Sequence, residues 1–275
     1  MATNLSGILL RKVELIVNEH ISRKADKNIL YHYTKSENVQ LILANETLLM
    51  NTFNNTQDPI ENKSTTFLIC CDDEEQEKYN KKRQQLDAIK KRTKLVCFTQ
   101  DAEYHHEREA YFPFNRGFLK SRMWNQYADN YKGVCICFDK KKVIEIVKST
   151  FPDALVFYTS VKYTNRAWMQ RSVHEINKNN INENNLDFIK KRRKAYFFSK
   201  LRDYRDEREF RIIVVSTKEI EKKYIDISNA ITSIYVGENC DAQTIEVVRD
   251  YCRNKQLKAH KLHWHEGVPL LGLMI

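Results

Sequence analysis

Apolar runs of strand length recur along the whole sequence, and none is long enough to serve another purpose. Residues 29–33, 95–99, 133–138, 155–158, 210–215, 231–236 and 257–263 each hold four to seven residues rich in Val, Ile, Leu, Tyr and Phe. Between them, residues 123–128, 143–147 and 242–252 place their apolar side chains at helical spacing. Strand-length runs alternating with helix-period segments predict an α+β chain with a mixed, strand-rich core and peripheral helices. The longest apolar runs, 212–215 and the interrupted 268–275, fall far below the roughly 20 residues that span a bilayer. No membrane partner is expected. The start, Met1-Ala2-Thr3-Asn4-Leu5 leading to Arg11 and Lys12, lacks the apolar h-region of a secretory signal, so a cytoplasmic protein is expected.

Local signals divide the chain further. Leu9, Val13, Ile16 and Val17 predict an amphipathic helix over 5–19, and residues 1–28 are read as an accessory segment before one α+β domain over 29–275. Thr34 followed by Glu37 fits a capping box opening a helix that runs through Ala44. Residues 47–52 read as a strand, and the Asn, Asp and Pro of 53–59 as a loop able to wall a site. Residues 72–92 begin acidic and end basic, a polarity that suits the helix dipole and reads as a solvated surface helix. Residues 177–185 read as an exposed loop before a basic helix carrying Lys190, Lys191, Arg192, Arg193 and Lys194. Lys and Arg outnumber Asp and Glu by 46 to 36, so this run is a candidate nucleic-acid contact as well as a solvated helix face. The seven cysteines form no Cys-x-x-Cys pair, which points to reduced, core-filling thiols.

The densest charge is Tyr204-Arg205-Asp206-Glu207-Arg208-Glu209-Phe210-Arg211, set immediately before an apolar strand. In an extended segment Glu207 and Glu209 share one face and Arg208 takes the other, so two carboxylates converge on a polar site. The same residues also suit an ion-pair ladder with Arg205, Arg208 and Arg211. In Tyr31-His32-Tyr33-Thr34, alternation puts His32 and Thr34 on one face and the two tyrosines on the other. His260, His263 and His265 lie close together, but apart from Glu266 no ligand spacing supports a metal there, and no metal is expected. His105-His106-Glu107 reads equally well as a polar loop. The absence of a Gly-rich phosphate loop and of a Gly-x-Ser-x-Gly elbow argues against a nucleoside triphosphatase or an α/β-hydrolase.

Six segments occur in a telling order: Leu30-Tyr31-His32-Tyr33-Thr34, Asn54-Asn55-Thr56-Gln57-Asp58-Pro59-Ile60-Glu61, Cys97-Phe98-Thr99, Met123-Trp124-Asn125-Gln126-Tyr127-Ala128-Asp129, Lys132-Gly133-Val134-Cys135-Ile136-Cys137-Phe138 and Glu207-Arg208-Glu209-Phe210-Arg211. Over residues 29–237 this order resembles the bacterial domain-of-unknown-function family 2971. The chain departs from the family at Asn125-Gln126, where Ser-His is usual, and at Phe210, where Trp is usual.

That family in turn resembles the ADP-ribosyltransferases, which implies a split-sheet core and NAD as substrate. The resemblance assigns His32 to the first position of the site, Tyr127 to the second and Glu209 to the third, with Glu207 completing a Glu-x-Glu pair. On this reading Glu209 stabilises the oxocarbenium-like ribose, and Glu207 positions or deprotonates the acceptor. His32 and Thr34 orient the ribose and amide, Tyr127 or Tyr33 stacks on the nicotinamide, and Tyr31 and Arg211 join the cofactor-binding set. The acceptor would be a protein or a nucleic acid, or water where NAD is hydrolysed, and the family analogy implies a toxin or anti-phage effector. The reading from a different class is a basic nucleic-acid-binding or regulatory module without catalysis.

Overall fold

The computed structural model describes residues 26–52, 55–56, 73–102, 116–165, 176, 180–221, 223–265 and 268–274. The helix expected over 5–19, most of the loop over 53–59 and the histidines at 105 and 106 lie outside them. The strands are β1 (Ile29–Thr34), β2 (Thr47–Leu49), β3 (Asn51–Thr52), β4 (Lys94–Gln100), β5 (Val134–Asp139), β6 (Leu155–Ser160), β7 (Lys162–Thr164), β8 (Ser199–Leu201), β9 (Glu209–Val215), β10 (Tyr224–Asp226), β11 (Ile231–Val236), β12 (Lys258–His265) and β13 (Val268–Met274). The helices are α1 (Ser36–Asn45), α2 (Asp73–Arg92), α3 (Ser121–Tyr127), α4 (Lys140–Thr150), α5 (Asn185–Phe197) and α6 (Ala242–Lys255), with 3₁₀ turns at Gly117–Leu119 and Arg202–Glu207. A nine-stranded sheet has the order β13-β12-β11-β5-β1-β4-β9-β6, with β3 also on β4. Its β11–β12 pair is parallel, and β1 runs antiparallel to both its neighbours, so the sheet is mixed.

Strand alternation builds a core on each face. Val134, Ile136 and Phe138 of β5 and Phe210, Ile212 and Val214 of β9 meet Val39 and Leu43 of α1, Val143 and Val147 of α4, and Val248 of α6. On the opposite face, Cys135 and Cys137 pack with Tyr31, Tyr33, Phe118, Trp124 and Tyr235. There Phe118 stacks on Tyr235 with ring centroids 4.0 Å apart. Beside them on that face, Ile213 and Val215 join Leu86 and Ile89 of α2 and Phe188, Ile189 and Phe197 of α5. The buried cysteines are free thiols and serve as small apolar residues.

Three expectations change. Thr34 remains in β1, paired with Val134; Lys35 is the N-cap of α1 and makes no side-chain cap, because the ladder to β5 claims Thr34 before the helix can. Helix α2 is solvated on one side only. Tyr79, Lys82, Leu86 and Ile89 are buried, and the Lys82 ammonium donates to the Glu183 carbonyl. The segment over 47–52 divides at Met50: β2 pairs with β10 and β3 with β4. Among the described residues no helix is long and apolar enough to cross a membrane.

Candidate functional site

The sheet has a gap at its centre. Strands β1 and β4 pair only at Leu30–Gln100 and Tyr31–Thr99, although β1 stays paired to β5 as far as Thr34. At the other end of β4 its edge is taken by β3, which pairs at Leu95 and Lys94. Residues 96–98 of β4 are left between these two neighbours. His32 spans the opening, with its Nδ1 3.2 Å from the Cys97 carbonyl. A carbonyl only accepts, so Nδ1 carries the proton and donates. Burial lowers the His32 pKa below 6.5 more than this bond raises it, so the ring is neutral at pH 7 and Nε2 is an acceptor.

A cavity of about 1020 Å³ passes through this gap. One wall comes from α1, β2 and β10, on the first face of the sheet, including Asn38, Leu41, Asn45, Leu49 and Tyr224. The other comes from Met123, Gln126, Tyr127, Lys200, Tyr204, Glu207, Glu209 and Arg211, on the opposite face. His32, Thr34, Cys97 and Thr99 line the passage between them. Asn55 and Thr56 also line it, so the described part of the 53–59 loop does wall the site.

The floor is a buried quartet of charges. Arg211 Nε lies 2.6 Å from Glu209 Oε1 and Arg211 Nη2 2.9 Å from Glu209 Oε2, a bidentate pair. Lys200 Nζ lies 2.7 Å from Glu207 Oε2 and 3.3 Å from Glu209 Oε2. The Tyr127 hydroxyl donates to Glu207 Oε1 at 3.0 Å, and Arg211 Nη1 donates to the Phe197 carbonyl at 2.8 Å. Burial raises the Glu209 pKa, but Arg211 and Lys200 outweigh it and hold the carboxyl at about 2. Burial, reinforced by Glu207, pushes the Tyr127 phenol up, so Tyr127 acts as a donor and not as a base.

The backbone brings the two glutamates together by a route that strand alternation does not foresee. Glu207 ends a 3₁₀ turn, and Arg208 adopts a left-handed conformation at φ 45° before β9 begins. The bend is pinned by Arg208 N donating to the Arg205 carbonyl and by Gln100 N donating to the Arg208 carbonyl. The Glu209 amide donates to the Tyr163 hydroxyl. The ion-pair partners are therefore Arg211 and Lys200, whereas Arg205 meets Asp206 in solvent.

Of the residues singled out from sequence, His32, Thr34, Tyr127, Glu207, Glu209 and Arg211 meet in the cavity wall. Tyr31 and Tyr33 also border it, but their rings belong to the aromatic core of the opposite face. The Tyr33 hydroxyl donates to the Gly117 carbonyl at 2.5 Å, and its ring stands edge-on to Trp124. The Arg211 guanidinium is engaged by Glu209 and Phe197. Position 126 keeps a place in the wall as Gln126, and Phe210 fills the first core with Lys140 4.2 Å above its ring. Lys190, Lys191, Arg192, Arg193 and Lys194 lie on α5, away from the cavity wall. Lys190 pairs with Asp187, Lys191 and Arg192 with Glu183, and Arg193 covers Phe157. His260 is buried and stacks on Tyr235, while His263 is exposed. Among the described residues no cluster of three His, Cys, Asp or Glu could hold a metal.

Two further wall residues matter to which the sequence assigns no site role, although Thr99 stands in one of the motifs. Lys200 comes from β8, which pairs with β7 outside the main sheet, and no local pattern marks it. Thr99 is 1% exposed, stands opposite Glu209 in the β4–β9 register, and its hydroxyl has no partner among the described residues. An unpartnered buried hydroxyl in a cavity wall asks for an explanation.

A family model described as protein of unknown function, DUF2971, matches residues 123–212. The match runs from α3 into β9 and contains Tyr127, Lys200, Glu207, Glu209 and Arg211, the residues of the floor. It supports the family resemblance drawn from the motifs over that span. No curated protein and no solved structure matches the chain.

Proposed function

We propose that the chain is an NAD-consuming enzyme of ADP-ribosyltransferase type, with a split-sheet core, which transfers ADP-ribose to a protein or nucleic acid or to water. The observation that carries this reading is the convergence of His32, Tyr127, Glu207 and Glu209 on one cavity at a break in the sheet. The cavity's size, about 1020 Å³, sits at the top of the range of roughly 300–1,000 Å³ that small-molecule sites occupy, which suits a dinucleotide. Apart from the floor quartet, Lys35 is the one charged side chain in the described wall, a cation suited to a pyrophosphate.

The chemistry follows from charge. The bond between the ribose C1′ and the nicotinamide nitrogen breaks, its electron pair leaves with nicotinamide, and C1′ becomes oxocarbenium-like. Carboxylates fixed in a buried site stabilise that cation without reorganising. A lone pair of the acceptor hydroxyl or amine, or of water, forms the new bond to C1′, and its proton passes through a carboxylate to solvent.

Nicotinamide release from NAD by the purified protein, with and without cell extract, tests this reading. A variant carrying Glu207→Gln and Glu209→Gln, checked for folding by circular dichroism, is the control. Release that needs extract identifies a transferase, and release without it a glycohydrolase. Absence of release under both conditions, or equal release by the folded double variant, refutes the reading.

A further inference from the structure

The two floor carboxylates differ in how much hydrogen-bonding capacity they retain. An ionised carboxylate has about four acceptor sites. Glu209 has four donors on it: Arg211 Nε at 2.6 Å, Arg211 Nη2 at 2.9 Å, Lys200 Nζ at 3.3 Å, and the Cys97 thiol. Its backbone is held as well, since its amide donates to Tyr163 and its carbonyl accepts from Val161 N at 2.8 Å. Glu207 receives two donors, Tyr127 at 3.0 Å on one oxygen and Lys200 at 2.7 Å on the other. One acceptor site on each of its oxygens has no donor among the described residues.

A substrate hydroxyl that must donate to a carboxylate therefore finds room on Glu207 and not on Glu209. Engaging Glu209 would first require displacing an arm of a buried bidentate ion pair, which is among the strongest side-chain contacts. Glu207 is also oriented to accept, because Tyr127 and Lys200 fix the carboxylate plane from two sides and neither occupies its remaining sites. The surroundings sort the two glutamates into an anchor and an acceptor, as environment sorts carboxylate pairs elsewhere.

We infer that Glu207 is the catalytic carboxylate, accepting a hydroxyl proton of the ribose or of the attacking nucleophile, and that Glu209 is a positioning residue that holds Arg211 and Lys200. The inference rests on the NAD reading and reverses the weight that the family resemblance gives to the second glutamate. It also defines the ligand group at the floor as a hydrogen-bond donor, an alcohol or an amine, and not an anion.

The test compares Glu207→Gln, Glu209→Gln and Glu209→Asp in the full chain. Three readings are taken on each: thermal midpoint, nicotinamide release across pH, and ADP-ribose binding by calorimetry. Gln at 207 can accept from Tyr127 or from Lys200 but not from both, so Glu207→Gln is expected to lower the midpoint and is assayed well below it. Its release should fall by about a hundredfold or more, the usual loss on removing a general base. Glu209→Gln is expected to lower the midpoint. The folded protein, measured well below that midpoint, should lose less release than Glu207→Gln, about tenfold against about a hundredfold for the general-base loss. Glu209→Asp serves if the Gln variant does not accumulate. Near-normal release by Glu207→Gln, together with abolished release by a folded Glu209 variant that still binds ADP-ribose, overturns the inference and leaves the NAD reading standing. Wild-type protein that neither binds ADP-ribose nor releases nicotinamide overturns the NAD reading, and the inference with it.

Discussion

Glu209→Gln should destabilise the fold, and the loss should fade as the solution is acidified. Arg211 and Lys200 overcome burial and hold the Glu209 carboxyl at about 2 against an ordinary 4.5. At about 1.4 kcal/mol per pH unit, that depression corresponds to about 3 kcal/mol of folding free energy. The sign follows from proton counting: between the two values the unfolded chain binds the proton and the folded chain does not. The contribution is therefore complete above about pH 5 and is lost as pH falls toward 2. By pH 3.5 roughly 1.4 kcal/mol of it is gone. Removing the carboxylate also leaves a buried guanidinium and ammonium with fewer partners, a change worth about 3–5 kcal/mol in comparable pairs. Urea unfolding of wild type and variant at pH 7, 5 and 3.5 measures the difference directly, and carboxylates away from the buried quartet cancel in the comparison. A gap of about 3 kcal/mol at pH 7 that narrows by pH 3.5 is expected from this linkage. A gap below about 1 kcal/mol, the scale of an exposed pair, or one independent of pH refutes the argument.

Three further outcomes follow from other parts of the molecule. Thr99→Val removes a buried hydroxyl that has no partner among the described residues, so the thermal midpoint should hold or rise; a ligand that uses the hydroxyl would show weaker binding by calorimetry, and a fall in the midpoint would reveal a hidden protein partner. Gly117→Ala places a Cβ against the Tyr31 ring and should cost about 1–3 kcal/mol in urea unfolding, as overpacking does, whereas unchanged stability would show that the aromatic core yields freely. Because burial lowers the His32 pKa below 6.5, the Nε2 acceptor persists at neutral pH and is lost only in acid. Nicotinamide release should then be level from pH 7 to 8 and fall in acid, and a rise on acidification would contradict that role.

Much of the architecture is legible in the residues because strand and helix periods are short-range signals. Successive residues of β5, β9 and β11 alternate between the two faces of the sheet as their spacing requires, and α4 and α6 bury one face each. What remained hidden depends on contacts between distant segments. The capping box at Thr34 and Glu37 satisfies a local rule, yet Thr34 is claimed by Val134 a hundred residues on. The charged segment before β9 reads as extended, but the left-handed Arg208 turns it, and part of what holds that conformation is the distant backbone of Gln100. Glu207 and Glu209 stand out as a charge cluster before an apolar strand and His32 by strand alternation, whereas Tyr127 is reached only through the family motifs. Lys200 stood in no motif at all, since a lysine in a three-residue strand carries no mark of the two glutamates that will surround it.

The gap between β1 and β4 has a consequence for how the protein folds. On one side of it stand β1, β5, β11, β12 and β13, and on the other β3, β4, β6 and β9. Each group gathers segments from early and late in the chain, so synthesis cannot finish one before starting the other, and most rungs close loops of many tens of residues. Such long-range topology is slow to assemble. Within the sheet, among the described residues, the halves are joined by two residue pairs and an imidazole. A small molecule lodged in the opening would take the place of the missing rungs, so that its recognition and its mechanical effect on the sheet would arise from the same contacts.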